Sequence, residues 1–282
     1  MEPANCFVDA TQDLIGVGVR VGLYCQWLAT FISGIALPSE LNYIQTTTIC
    51  FQTATLIALV VITAHGVLIA QEVLVALPLV FGGFLATHIF DPPQAFLAAR
   101  GNRENSSTSF WRLFATVQVF GLLIGYNSWF WWQGVNVLHS DACRYYTLVF
   151  TKVEVLRLWH VGVVLGTLAA VLFVLLDAIL LIWVTLVVFN AGLRVALENF
   201  VRTRIPSLIN GSDRPLWAIW LACLVRVLSM VYVATMIELT IGWCYIRGAN
   251  TLDSAGQIIP LVLGVTGLIK VLYGIVKEVF QA

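Results

Sequence analysis

The sequence predicts an all-α fold, a polytopic bundle of transmembrane helices, and three observations carry the prediction. The 282-residue chain is 60% hydrophobic and 11% charged, where soluble domains carry about a quarter charged residues. Its mean hydropathy is +0.90. The apolar residues gather into seven stretches, each near the roughly 20 helical residues that cross a hydrocarbon core of about 30 Å. They place spans near 17–37, 47–69, 73–90, 112–132, 161–189, 217–243 and 258–276, one membrane domain over 1–282.

Met1 to Asp13 has neither a basic n-region nor a short apolar core, so span one is expected to act as its own uncleaved insertion signal. Gly16, Gly18 and Gly22 leave room there for a close helix contact. Asp13 and Arg20 stand seven apart and share a helical face. In span two, Gln45, Thr48, Gln52 and Thr55 recur at threes and fours and form one polar face. Span three follows with Gln71 and Glu72 as the only polar residues in between and contains Pro78, Gly82 and Gly83. The alternative there is six spans plus a re-entrant hairpin around 66–90.

Span four carries Gln118 and the Tyr126–Asn127 pair and ends on Trp129, Trp131 and Trp132, where an aromatic belt is expected. Gln26, Gln52, Gln118 and Asn127 are the amides that either join helices or line a polar cavity. The loop from Gln133 to His160 is longer than a turn and partly apolar, suited to capping the external mouth of such a cavity.

Span five, Val161 to Phe189, contains a single charged residue, Asp177. A lone carboxylate at that depth must be paired, protonated or functional. Arg226 in span six lies within about 3 Å of the same depth at 1.5 Å rise per residue, so a buried Asp177–Arg226 ion pair is expected. Lys270 in span seven is a competitor that can snorkel to the interface. Glu238, about one turn below Trp243, has no cation at its level on this count. That makes it, with Asp177, a candidate catalytic acid. Between spans five and six, Leu193, Leu197, Val201 and Ile205 recur four apart while Arg194, Glu198 and Arg202 take another face, the pattern of an interfacial amphipathic helix over 192–205 or of a cytoplasmic extension of span five.

Orientation follows from lysine and arginine. With the amino terminus outside, nine basic residues fall on the cytoplasmic side (Arg100, Arg103, Arg112, Arg194, Arg202, Arg204, Arg214, Lys270, Lys277). Five fall outside (Arg20, Arg144, Lys152, Arg157, Arg247), so the carboxyl terminus is cytoplasmic. Cys6, Cys143 and Cys244 are then all external, where a disulfide survives, and Cys6–Cys143 is the preferred pairing. The glycosylation patterns at Asn105 and Asn210 fall in cytoplasmic loops, and glycan on either would invert the topology.

The segment Asp13-Leu-Ile-Gly-Val-Gly-Val-Arg-Val-Gly-Leu-Tyr-Cys-Gln-Trp27, with Gln52-Thr-Ala-Thr55 further on, resembles a broad set of uncharacterised multi-pass membrane proteins from filamentous fungi. That resemblance brings no activity and no site residues with it.

The balanced charge, fifteen basic against fifteen acidic side chains, excludes the usual nucleic-acid binders. No Asp-rich diphosphate motif, glycine-rich phosphate loop, zinc-protease helix or nucleophile elbow is present. The four histidines form no haem-binding pairs, and no metal or cofactor is expected. The expected partners are membrane lipids and a lipophilic small molecule, in the endoplasmic reticulum or the plasma membrane. The first functional expectation is a membrane-embedded enzyme, a cyclase or isomerase started by Glu238 or Asp177 on an isoprenoid or polyketide. Small fungal terpene cyclases of secondary metabolism supply the analogy. The alternatives are a receptor-like or scaffolding protein and a small-solute transporter.

Overall fold

A computed structural model describes residues 8–9, 11–87, 106–138, 146–149, 151–189 and 216–281. Seven long helices and one short one make up most of these. The short α1 (Gln12–Ile15) leads through Gly16 into α2 (Val17–Ala36). Then come α3 (Pro38–Ala64), α4 (Ala70–Thr87) and α5 (Ser106–Trp129). A π-helical turn (Phe130–Gly134) and a last helical piece (Val135–Val137) continue α5. The rest are α6 (Val155–Phe189), α7 (Leu216–Trp243) and α8 (Ala255–Gln281).

Among the described residues five stretches are long and apolar enough to cross a bilayer: Gln12–Ala36, Tyr43–Ala64, Val155–Ile179, Trp220–Trp243 and Ala255–Phe280. A shorter apolar helix covers Ala70–Phe84.

The boundary between the first two spans differs from the sequence expectation. Only Leu37 separates α2 from α3, because Pro38 takes a first-turn position of α3. An amide at that position has no partner inside the helix, so proline costs nothing there. The polar residues from Gln45 onward are therefore helical and turned inward, with Gln45, Thr48, Gln52 and Thr55 all buried. Helix α4 runs unbroken through Pro78, so the described residues hold a whole helix where a re-entrant hairpin was the alternative.

Helix α2 is the centre of the bundle. Of its membrane-length window 61% is buried, against 6% for the α6 window, which places α2 inside and α6 at the periphery. It packs on α3, α4 and most extensively α8. The expected glycine contact accounts for the last. A Cβ on Gly22 would lie 2.3 Å from the Pro260 carbonyl oxygen, and one on Gly264 would lie 2.1 Å from that of Gly22. Backbone thus meets backbone between α2 and α8, the close approach that small residues allow in a membrane, where dispersion takes over from the hydrophobic effect. The apolar core around α2 includes Leu23, Trp27, Leu59, Leu79, Phe84 and Ile237.

Helix α6 packs on α5, and their hydrogen bonds form rungs. Trp159 Nε1 donates to the Trp131 carbonyl at 2.7 Å, Trp132 Nε1 to Thr167 Oγ1 at 2.7 Å, and Ser128 Oγ to the Gly166 carbonyl at 2.7 Å. The chain segments at one end of the bundle are tied together. Strand β1 (Val8–Asp9) pairs in parallel with β4 (Ile246–Arg247), and β2 (Tyr146–Leu148) pairs antiparallel with β3 (Lys152–Glu154). The Thr11 amide donates to Glu72, Ser254 Oγ to Asp13, and the Ala70 amide to the Leu138 carbonyl.

Candidate functional site

Glu238 is not without a cation. Arg20, in the first turn of α2, is buried to 2% exposure, and its Nη1 donates to Glu238 Oε2 at 2.9 Å. Its Nη2 donates to the Ala249 carbonyl at 3.1 Å and to Asn250 Oδ1 at 2.7 Å. Tyr24, one turn further along α2, donates its hydroxyl to Glu238 Oε1 at 3.0 Å. Both carboxylate oxygens are thereby engaged, and α2, α7 and the α7–α8 turn are joined. The external count of Arg20 misses this partner, since Arg20 lies three residues inside the start of α2 and Glu238 five residues inside the end of α7.

Asp177 and Arg226 are not brought into an ion pair. Among the described residues the ion pairs join Arg20 to Glu238, Arg157 to Glu154 and Lys270 to Glu40. Asp177 Oδ1 instead accepts from Gln118 Nε2 at 2.8 Å, a fourth rung between α5 and α6. The cause is the packing order, because among the described residues α6 lies chiefly against α5 and has no extensive contact with α7. Arg226 is buried on α7 with its guanidinium carbon 5.8 Å from the centroid of the Phe31 ring. Lys270 Nζ, 2.6 Å from Glu40 Oε2, also sits 4.2 Å from the centre of the Tyr43 ring.

The amides separate into three groups. Gln26 and Gln52 are buried between α2 and its neighbours, and neither amide has a hydrogen-bond partner among the described residues. Gln52 occupies space that only glycine leaves, since a Cβ on Gly83 would fall 1.5 Å from its Nε2. Gln118 holds Asp177. Asn127 is the one of the four among the lining residues of a cavity between α4, α5, α6 and α7.

That cavity has a volume of about 850 Å³ and lies between α4, α5, α6 and α7. Leu77, Phe81, Leu123, Phe130, Leu165 and Met236 are typical of its walls. Thr147, Leu148 and Val149 of the β2–β3 hairpin close one end, held there by the Tyr232 hydroxyl, which donates to the Val149 carbonyl. The loop expected to cap a cavity does so through these residues. Among the described residues two wall helices, α6 and α7, have no extensive contact with one another, and their wall residues Val161, Leu165, Leu228 and Tyr232 are exposed. The cavity therefore opens sideways. A volume of this size matches those of small-molecule sites, which lie near 300–1,000 Å³.

The π-helical turn at Phe130–Gly134 sits on the cavity wall. One extra residue per turn re-aims the side chains that follow it, and such turns are frequent at functional sites. Trp131, expected in an aromatic belt, packs over Gly162 and lines the cavity. No residue of the sequence announces a π turn, so this wall was not legible beforehand.

Neither candidate acid, Glu238 or Asp177, is among the cavity's lining residues. Among the described residues no three His, Cys, Asp or Glu side chains gather as a metal site. Cys244 is a free thiol that donates to the Tyr146 carbonyl at 3.4 Å, while Cys6 and Cys143 lie outside the described residues. The amphipathic segment 192–205 lies outside them as well.

These helices define the class: the chain is an integral membrane protein of the multi-pass helical kind. No protein-family model matches it, and no curated protein or solved structure is significantly similar.

Proposed function

We propose that this is a seven-span membrane protein, amino terminus outside and carboxyl terminus cytoplasmic, that binds a membrane-dissolved lipophilic small molecule in its lateral cavity. The cavity of about 850 Å³ between α4 and α7 carries the reading, because its walls are apolar and the apolar residues Val161, Leu165 and Leu228 at its edge are exposed, as an opening toward lipid requires. A ligand partitioned in the bilayer reaches such a site without crossing water. The kinship with filamentous-fungal membrane proteins is part of the same proposal and rests on the glycine-rich start of α2.

An acid-initiated cyclase needs a carboxylate facing its substrate. Glu238 is engaged by Arg20 and Tyr24, Asp177 is engaged by Gln118, and both stand outside the cavity lining. The proposal therefore commits to binding rather than acid catalysis.

Native mass spectrometry of the full chain, extracted from its host membrane in mild detergent, tests this. The expected result is a stoichiometric lipophilic adduct that is lost in Ala169→Trp, which fills the cavity from α6, while that variant still elutes as a folded protein. Retention of the same adduct by a folded Ala169→Trp variant would overturn the proposal.

A further inference from the structure

We infer that the cavity selects an uncharged amphiphile, a long apolar body ending in a single neutral hydrogen-bonding group such as an alcohol, and that Asn127 holds that group. The inference rests on the cavity being the working site. It starts from what the wall lacks: no Lys, Arg, His, Asp or Glu is among the described lining residues. A charged head group would leave water there with no counter-charge, at a cost of several kcal/mol.

The polar groups that are present differ in what they have left to give. Ser229 spends its hydroxyl proton on the Val225 carbonyl, Tyr232 on Val149, and Thr147 lies 3.5 Å from the Thr240 hydroxyl. Asn127 has no hydrogen-bond partner among the described residues, and an amide can donate and accept at once. Trp131, in the π turn four residues on, lines the same cavity. A hydroxyl placed against Asn127 can satisfy both halves of the amide. A sulfonate or carboxylate can use only the donor half and leaves its own charge uncompensated.

The test uses two photoreactive probes of equal chain length with a mid-chain diazirine, one a long-chain alcohol and the other the matching alkyl sulfonate. Each is irradiated with the full-length protein in lipid nanodiscs, and the labelled peptides are mapped by mass spectrometry. The alcohol should label the peptides bearing Leu165, Leu228 and Met236 at least about tenfold more than the sulfonate. That preference should fall to about twofold or less in Asn127→Leu. Should Asn127→Leu fail to fold, Asn127→Ser, which keeps one hydroxyl, should retain an intermediate preference.

Equal labelling of those peptides by both probes, or an unchanged preference in a folded Asn127→Leu, overturns the head-group assignment while leaving the cavity occupied. Labelling confined to the outer surface of α6, α7 and α8 by both probes overturns the cavity itself.

Discussion

Arg20 of α2 and Glu238 of α7 are joined by a direct ion pair, Nη1 to Oε2 at 2.9 Å, with the arginine 2% and the glutamate 49% exposed. The pair fastens the central helix to α7 just beneath the turn that leads into α8. Its strength is uneven, because the buried partner cannot be rehydrated if the other is lost.

Glu238→Gln should therefore destabilise the protein by about 2 kcal/mol, less than the 3–5 kcal/mol of a fully buried pair since Glu238 is half exposed. Arg20 keeps Ala249 and Asn250 as partners. Adding Arg20→Met should recover part of the loss. Thermal unfolding followed by size-exclusion fluorescence in detergent reads both, and equal damage in the single and double variants would contradict the pairing.

Asp177→Asn should cost less than about 1 kcal/mol, because Gln118 can still hydrogen-bond to an amide at that position. Asp177→Leu should cost more, since it strands the Gln118 amide between α5 and α6. A loss of 3–5 kcal/mol in Asp177→Asn would mean that the carboxylate is balancing a buried cation after all.

The membrane fold was legible in composition and in the length of the apolar stretches, which needs no tertiary information. The glycine contact of α2 was legible too, since Gly18 and Gly22 have few other uses in a helix. Pairings were not, because they depend on which helices become neighbours. Once α5 begins at Ser106, Gln118 lies as deep from that start as Asp177 lies from Phe189, the end of α6. Depth alone then offers Gln118 and Arg226 equally, and only the packing of α6 on α5 decides between them.

The α2–α8 contact gives a sharper stability test. Gly22→Ala and Gly264→Ala each drive a methyl into backbone, at 2.3 Å and 2.1 Å, and backbone cannot swing aside. Each should cost about 1–3 kcal/mol and reduce the yield of folded protein. Gly267→Ala on the same helix meets nothing within 4 Å and should be tolerated. Similar melting of all three variants would show that α8 does not approach α2 this closely.

Cys244 lies just past the end of α7, and burial pushes its thiol pKa up. The thiolate, which is the reactive form, is then scarcer at any given pH, so alkylation at pH 8 should run slower than for an exposed cysteine and quicken as pH rises. We propose the bridge for Cys6 and Cys143. Nearby Val8 pairs with Ile246 and the Tyr146 carbonyl accepts from Cys244, so both flanks reach the α7–α8 turn. Peptide mapping without reductant should find 6 linked to 143 and 244 unlinked. A bridge that includes Cys244 would contradict this.

The central claim is that the space between α6 and α7 is a ligand site, and an electron cryomicroscopy map of the full chain in nanodiscs made from its native membrane tests it most directly. The account predicts elongated density within the cavity, entering between Leu165 and Leu228 and ending against Asn127 beneath the β2–β3 hairpin. A map in which α6 packs directly on α7 and side chains fill that space would contradict it.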